Sequence, residues 1–304
     1  MKTRFILNCI VIVFFSNHCF AQLSPPNNIS LVLKKSIEQR LSTVKGDFAV
    51  VCKDLQSNEI LLINEKANFH AASTMKLAVM VEIFRQADRG IISLQDSVLV
   101  KNEFKSIVDG SIYSLDITDD SADDIYKRID TKMTIYELVY QMITVSSNLA
   151  TNILIEIADA GKIAKTLKKM GIKDMKVLRG VEDKKAFDKG LNNSVTAYDL
   201  MLLLEKIDER KAASDSACNQ MLDILFAQKF NDIIPAQLPK DVKVAHKTGS
   251  ITGVQHDAGI VYMPNGKKYV LVLLSKNLKD TTAAIKVLAD ISKWIFEKEF
   301  ETER

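Results

Sequence analysis

Ser73 and Lys76 stand one helical turn apart in "FHAASTMKLAVM", residues 69–80, with small or apolar side chains on nearly every side. A serine hydroxyl at its ordinary proton affinity is a poor nucleophile and needs a base within hydrogen-bond reach. Positions i and i+3 share a helix face, so Lys76 can reach Ser73. Neighbouring positive groups would help that lysine give up its proton rather than hold it. A helix start and a surface charge would look the same, and "STVK", Ser42 to Lys45, repeats the string elsewhere. The pair alone decides nothing.

Two further strings follow in order. Ser146-Ser147-Asn148 falls at the break between two helical stretches, and Lys247-Thr248-Gly249-Ser250 ends a strand near the C-terminus. Each has a plain reading as well. Ser146 could cap the next helix, Lys247 could be a solvated strand-end charge, and Gly249 a bulge glycine. The S-x-N string recurs at Ser275 to Asn277, whereas K-T-G occurs once. In this order and on these contexts, the three together favour a catalytic reading over the plain ones.

In these motifs the chain resembles the class A β-lactamases and the related penicillin-recognising serine enzymes. "FHAASTMK", "MITVSSNLATNILI" and "HKTGS" match in their surroundings too, and the resemblance spans nearly the whole chain after the leader. It implies a sheet domain and an all-helical domain with the site in the cleft between them. It also implies roles. Ser73 would be the nucleophile, Lys76 its partner, and Ser146 the relay to the departing amide nitrogen. Lys247, Thr248 and Ser250 would bind the substrate carboxylate beside Gly249, and Asn148 would bond the acyl side-chain amide. The N–H of Ser250 would be an oxyanion donor, and the helix start at Ser73 would add backbone N–H groups and dipole.

The pattern departs from that family in two places. The deacylating glutamate is set there as E-x-x-L-N shortly after an arginine. Here "RGVEDKKAFDKGLNNSVTA" offers Arg179 and then Glu182, with "GLNN" only at 190–193. Glu182 is the candidate base and Asp183 its rival; a solvated ion pair is the plain reading of either. The aspartate of the family's S-D-N is replaced by Ser147, which puts the packing of that turn in question more than its chemistry.

The elements that must position these residues are legible in the periodicity. "SLVLKKSIEQRLSTV" is a helix stopped by Gly46, and "DFAVVCKDL" with "EILLIN" reads as a hairpin. The middle of the chain is helical. Thr134 with Glu137 makes a capping box, "NLATNILIEIADA" runs to near Gly161, and Thr196 with Asp199 opens another helix. "VKVAHKTGS", "DAGIVYMP" and "KKYVLVLLS" are strands, the last two joined around Pro264-Asn265-Gly266. An amphipathic helix, "AAIKVLADISKWIFEKEF", follows. The expectation is an α+β fold whose sheet is built from both chain ends (30–72 and 222–304), with a helical part at 73–221.

Composition bounds the rest. Lys2 and Arg4 precede an apolar run, and "CFA" before Gln22 suits cleavage after Ala21, so residues 1–21 read as a secretory signal peptide and the protein as periplasmic or secreted. Without Lys2 and Arg4, the 41 basic residues fall to 39 against 38 acidic ones. With no basic block interleaved with aromatics, nucleic acid is not an expected partner. No later apolar run is long enough for a membrane span. Cys52 and Cys218 are expected as two buried thiols, and His70, His246 and His256 show no metal-type spacing, so no metal or cofactor is expected. His246 and His256 are expected to be structural. The reading is a monomeric secreted serine β-lactamase acting on β-lactam antibiotics and conferring resistance. A D,D-peptidase or penicillin-binding relative that deacylates slowly is the alternative, and a non-catalytic β-lactam sensor a third.

Overall fold

The computed structural model describes residues 31–300; the expected signal peptide lies outside them. Five antiparallel strands form the main sheet. β1 (Asp47–Asp54) and β2 (Ile60–Ile63) come from the N-terminal part. β3 (Lys243–Ile251), β4 (Val254–Tyr262) and β5 (Lys268–Lys276) come from the C-terminal part. Their order is β2-β1-β5-β4-β3, so β1 joins the two chain ends by pairing with β5 along its whole length.

Alternation within the strands assigns the two faces. Phe48, Val50 and Cys52 of β1 and Tyr269, Leu271 and Leu273 of β5 point to one side. There they meet α1 (Leu31–Leu41) through Leu33, Ile37 and Leu41, and α9 (Thr281–Ile295) through Val287, Leu288 and Ile291. Ala49, Val51, Val270, Val272 and Leu274 point to the other side, into a larger core shared with the helices. A one-residue slip would exchange the faces, so two-sided burial pins the register. Cys52 and Cys218 are buried on opposite sides of this division and form no disulfide.

The helical region is built around α2 (Lys76–Asp88), which is buried nearly all round. α3 (Ile135–Thr144) starts at the expected Thr134–Glu137 capping box. α4 (Asn148–Ala158) is capped by the Ser147 hydroxyl, which accepts from the Ala150 N–H. The expected single helix to near Gly161 is two. Asp159 adopts φ +67°, ending α4, and its side chain accepts from the Lys162 N–H to open α5 (Ala160–Lys169). A side chain that caps the next helix outcompetes continuation of the first. α6 (Lys184–Asp188) is a single turn, α7 (Ala197–Asp208) starts at Thr196 as expected, and α8 (Asp215–Phe226) packs by β3.

The terminal helices are shorter than their sequence patterns. α1 ends at Leu41, where the Ser42 hydroxyl donates to the Gln39 carbonyl, so the second S-x-x-K lies on an exposed turn. α9 ends at Ile295, and residues 296–300 continue as a wider π turn.

Gly259 on β4 sits opposite His246 on β3. A Cβ there would lie 2.5 Å from the His246 Cβ and 2.9 Å from the Ala245 carbonyl oxygen. Neither can yield without moving the strand that carries Lys247. Gly259→Ala is expected to lower unfolding free energy by about 1–3 kcal/mol, read from urea denaturation; a variant as stable as the parent would mean that the strand pair shifts freely.

Candidate active site

The cleft begins where the short strand Phe69–His70, paired with Ser194–Val195, leaves its partner. Ala72 takes φ +44°, a left-handed value that costs a non-glycine residue on the order of 1–3 kcal/mol. The turn Ala72–Met75 is 3₁₀ and runs into α2 at Lys76, so Ser73 lies on the tight turn before the α-helix proper. Three bonds help hold this turn: the Ala72 N–H donates to His70 Nδ1 at 3.0 Å, and the Thr74 hydroxyl and N–H both donate to the Ala71 carbonyl, at 2.6 and 3.0 Å.

Strand β3 lies directly against that turn, and Gly249 is the reason it can. A Cβ at Gly249 would be 3.2 Å from the backbone nitrogens of both Ser73 and Thr74. The glycine is therefore a close-approach residue rather than a bulge, with no side chain to hold the strand off. Ser73, Ser146, Asn148, Thr248 and Ser250 all line one cavity of about 380 Å³. A second, of about 780 Å³, shares Ser73, Asn148 and Ser250 and adds Glu182 and Ile251.

Two lysines enter this cleft fully buried. Lys76 Nζ donates to the Ser146 carbonyl at 2.7 Å, to Asn148 Oδ1 at 3.0 Å and to Ser146 Oγ at 3.2 Å. Lys247 Nζ donates to the same Ser146 Oγ at 3.1 Å and to the Thr248 carbonyl at 2.9 Å. Lys247 is thus no solvated strand-end charge. Burial pushes the Lys76 ammonium down to about 7, against the pull of Asp120 and Glu182. Burial, then repulsion from Lys76, holds Lys247 well below an ordinary lysine. The expected hydrogen bond from Lys76 to Ser73 is not among these contacts. The i, i+3 spacing places both on one face, but Ser146 and Asn148 offer three acceptors and take the ammonium.

Ser146 itself has φ +59°, which turns its hydroxyl back between the two lysines before α4 starts. It does not cap that helix; Ser147 does. Asn148 faces two ways: Oδ1 accepts from Lys76, and Nδ2 donates to Glu182 Oε1 at 2.9 Å. Glu182 is the third strained residue of the cleft, at φ +61°. Burial pushes its carboxyl above the ordinary value, partly opposed by the Asn148 bond.

The rival, Asp183, lines the second cavity as well, but its carboxylate is bonded to other partners. Asp183 is buried, caps α6 through the Ala186 N–H at 3.1 Å, and accepts from Ser106 Oγ and the Ile107 N–H, each at 2.9 Å. Adjacent residues part because the left-handed backbone at Glu182 sends the two side chains in different directions.

One anchor of this loop escaped the sequence reading. Asn152, one turn after Asn148 on α4, accepts from the Val181 N–H at 2.7 Å and donates to the Val181 carbonyl at 3.1 Å. The signal was a polar residue inside the apolar run "NLATNILI". At the loop's neck, Arg179 donates to the carbonyls of Leu191 and Gly180 and to Asn192 Oδ1, while Asn193 accepts from the N–H groups of Leu178 and Arg179.

The histidines are scaffold. His256 Nδ1 accepts from the Ser275 N–H, so its proton sits on Nε2 and is given to the His70 carbonyl at 2.9 Å; burial lowers this group to about 4. His246 is buried between Asp257 Oδ1 at 2.8 Å and Asn231 Oδ1 at 3.2 Å. Among the described residues no cluster of His, Cys, Asp and Glu is arranged to hold a metal ion.

A family model described as the beta-lactamase enzyme family matches residues 32–298. The chain belongs to that family. A beta-lactamase of Bacteroides uniformis is 26% identical over 255 residues, covering 79% of this chain and 82% of its own. Beta-lactamase VEB-1 of Pseudomonas aeruginosa is 21% identical over 304 residues, covering 95% and 96%. The solved structure of PBP-A superposes with a TM-score of 0.76 at 25% identity, over 88% of this chain and 95% of its own. The expected α+β architecture is that of the PBP-A structure.

Lys76 is expected to titrate near pH 7, where an unfolded lysine holds its proton to about 10.4. Between these values the unfolded chain binds the extra proton, so this group's contribution to stability grows as pH rises through the window. Glu182→Gln removes a carboxylate that favours the ammonium, and the Lys76 inflection should move to lower pH. Lysine ε-carbon NMR, assigned by signal loss in Lys76→Arg, reads both; an unmoved inflection would mean that Glu182 does not act on Lys76.

Proposed function

We propose that this protein is a secreted serine β-lactamase that opens the β-lactam amide through an ester on Ser73 and then hydrolyses that ester, giving resistance to the antibiotic. The observation that carries the reading is one continuous network. Lys247, Ser146, Lys76, Asn148 and Glu182 are joined by hydrogen bonds around the Ser73 turn.

In the first step Ser73 Oγ attacks the lactam carbonyl carbon and its proton passes to neutral Lys76. The oxyanion is met by the N–H groups of Ser73 and Ser250. Ser146, bonded to both lysines, gives its proton to the lactam nitrogen as the C–N bond breaks and regains one from Lys76. The substrate carboxylate is met by Lys247, Thr248 and Ser250, and the acyl side-chain amide by Asn148. In the second step Glu182 takes a proton from water, whose oxygen attacks the ester carbonyl. The ester C–O bond breaks and the proton returns to Ser73. The raised proton affinity of Glu182 suits a base that must accept and release a proton near neutrality.

A D,D-peptidase-like acyltransferase with slow deacylation is the second reading. It is favoured by the missing E-x-x-L-N, which leaves buried Ala186 on the stretch after Glu182, and by the likeness to PBP-A. Intact-protein mass spectrometry during incubation with a penicillin, run beside nitrocefin turnover, separates the two. A β-lactamase gives a transient adduct and many turnovers; the alternative gives a stoichiometric burst. Ser73→Ala should abolish the adduct and Ser42→Ala should not. A general base is worth ~10²–10⁴-fold in rate, so Glu182→Gln should acylate and then hold the adduct for minutes to hours. Asp183→Asn, if folded, should still clear it. Wild-type clearance by Glu182→Gln would remove Glu182 from the mechanism.

A further inference from the structure

The turn that carries Ser146 and Asn148 has no carboxylate of its own, since Ser147 occupies its central position. A helix N-terminus presents unpaired N–H groups and a positive dipole end, and here it also faces two buried lysines. Something negative should stand against it. The structure provides it from 27 residues away in sequence.

Asp120 lies on the acid-rich segment "LDITDDSADD", residues 115–124. Its Oδ2 accepts from the Asn148 N–H at 2.8 Å and the Leu149 N–H at 2.9 Å, the first two donors of α4. The Ser147 hydroxyl approaches the same oxygen at 3.4 Å, and the Tyr126 hydroxyl donates to it at 3.1 Å. Oδ1 accepts from the Ala122 N–H at 3.2 Å, which fixes the carboxylate's orientation. Its neighbour Asp119 lines both cavities of the cleft, and the Asp119 carbonyl accepts from Asn148 Nδ2 at 3.3 Å.

We propose that Asp120 is a positioning residue for the reaction. Its carboxylate, borrowed from a distant loop, docks the N-terminus of α4 and so fixes where Ser146 and Asn148 present their oxygens to Lys76. The inference rests on the hydrolytic reading above. The geometry is direct: the Asn148 backbone is held by Asp120, while the Asn148 side chain holds Lys76 and Glu182. The charged groups acting on Lys76 come from separate elements. They are Asp120 from its loop and Glu182 from the 179–196 loop, while Lys247 from β3 faces the same Ser146 hydroxyl and is itself lowered by Lys76. Removing the Asp120 charge therefore acts twice, by loosening the turn and by taking away one of the two carboxylates that favour the Lys76 ammonium.

Because the Ser147 hydroxyl already stands at the same oxygen, an aspartate at 147 can bring a carboxylate to the same N–H groups. The test is Asp120→Asn alone and with Ser147→Asp. Two quantities are read: the penicillin acylation rate by mass spectrometry, and the Lys76 inflection by lysine ε-carbon NMR. Asp120→Asn should acylate slower by about tenfold or more, with the Lys76 inflection at lower pH, and the double variant should recover both. Two results would overturn the proposal: a variant that acylates and titrates like the parent, or a slowed variant whose Lys76 inflection has not moved. Should Asp120→Asn be too unstable to assay, the double variant must restore a folded, acylating protein, and its failure counts against the proposal. If the parent itself is never acylated, the hydrolytic reading falls, while the Lys76 inflection in Asp120→Asn still judges the positioning role.

Discussion

Two lysine side chains, both fully buried, converge on the single hydroxyl of Ser146. Two ammonium groups cannot both keep their charge at that separation from water, because burial and mutual repulsion each favour losing a proton. The site settles this by tuning rather than by pairing. Lys76 is brought down to about 7 by burial against the pull of two carboxylates, and burial with repulsion from Lys76 holds Lys247 well below an ordinary lysine. The surrounding backbone is arranged so that this pair is surrounded by acceptors, and the rest of the cleft follows from that need.

The cleft also stores backbone strain. Ala72, Ser146 and Glu182 all sit at positive φ, and none is glycine. Each strained residue re-aims one functional group: the Ser73 turn, the Ser146 hydroxyl and the Glu182 carboxylate. Such strain persists only where the surroundings over-determine it. Here they do, through Gly249 on β3, the capped start of α4, and Asn152 gripping both polar groups of Val181. Stability is lent by the scaffold to residues that would relax alone, which is the usual exchange at a reactive site.

The loop from Arg179 to Thr196 shows how one sequence departure can be absorbed. Glu182 loses the partner implied by E-x-x-L-N yet keeps a hydrogen bond from Asn148. Asp183, with the same charge and one position away, is consumed by capping α6 and binding the 106–107 backbone. Local hydrogen-bond demand, not charge, separates the two carboxylates. Asp120 shows the converse, a charge missing from one segment and supplied by another.

The sequence by itself determined the elements and the motif set. The run "DFAVVCKDL" gave a strand hairpinned to the next, and the Thr134–Glu137 box opened α3 where written. These are local properties, carried by residues within a few positions of each other. K-T-G and S-x-x-K were legible through the resemblance to a known family, in their order and surroundings rather than one by one. Tertiary structure alone decided what those residues touch. Lys76 turned from Ser73 to Ser146, Gly249 proved to be a close-approach residue, and α4 stopped at Asp159. It also gave Glu182, not Asp183, the hydrogen bond from Asn148 and brought Asp120 to that same residue. Those outcomes depend on contacts between distant segments and on competition for buried acceptors, and no window of sequence contains both competitors.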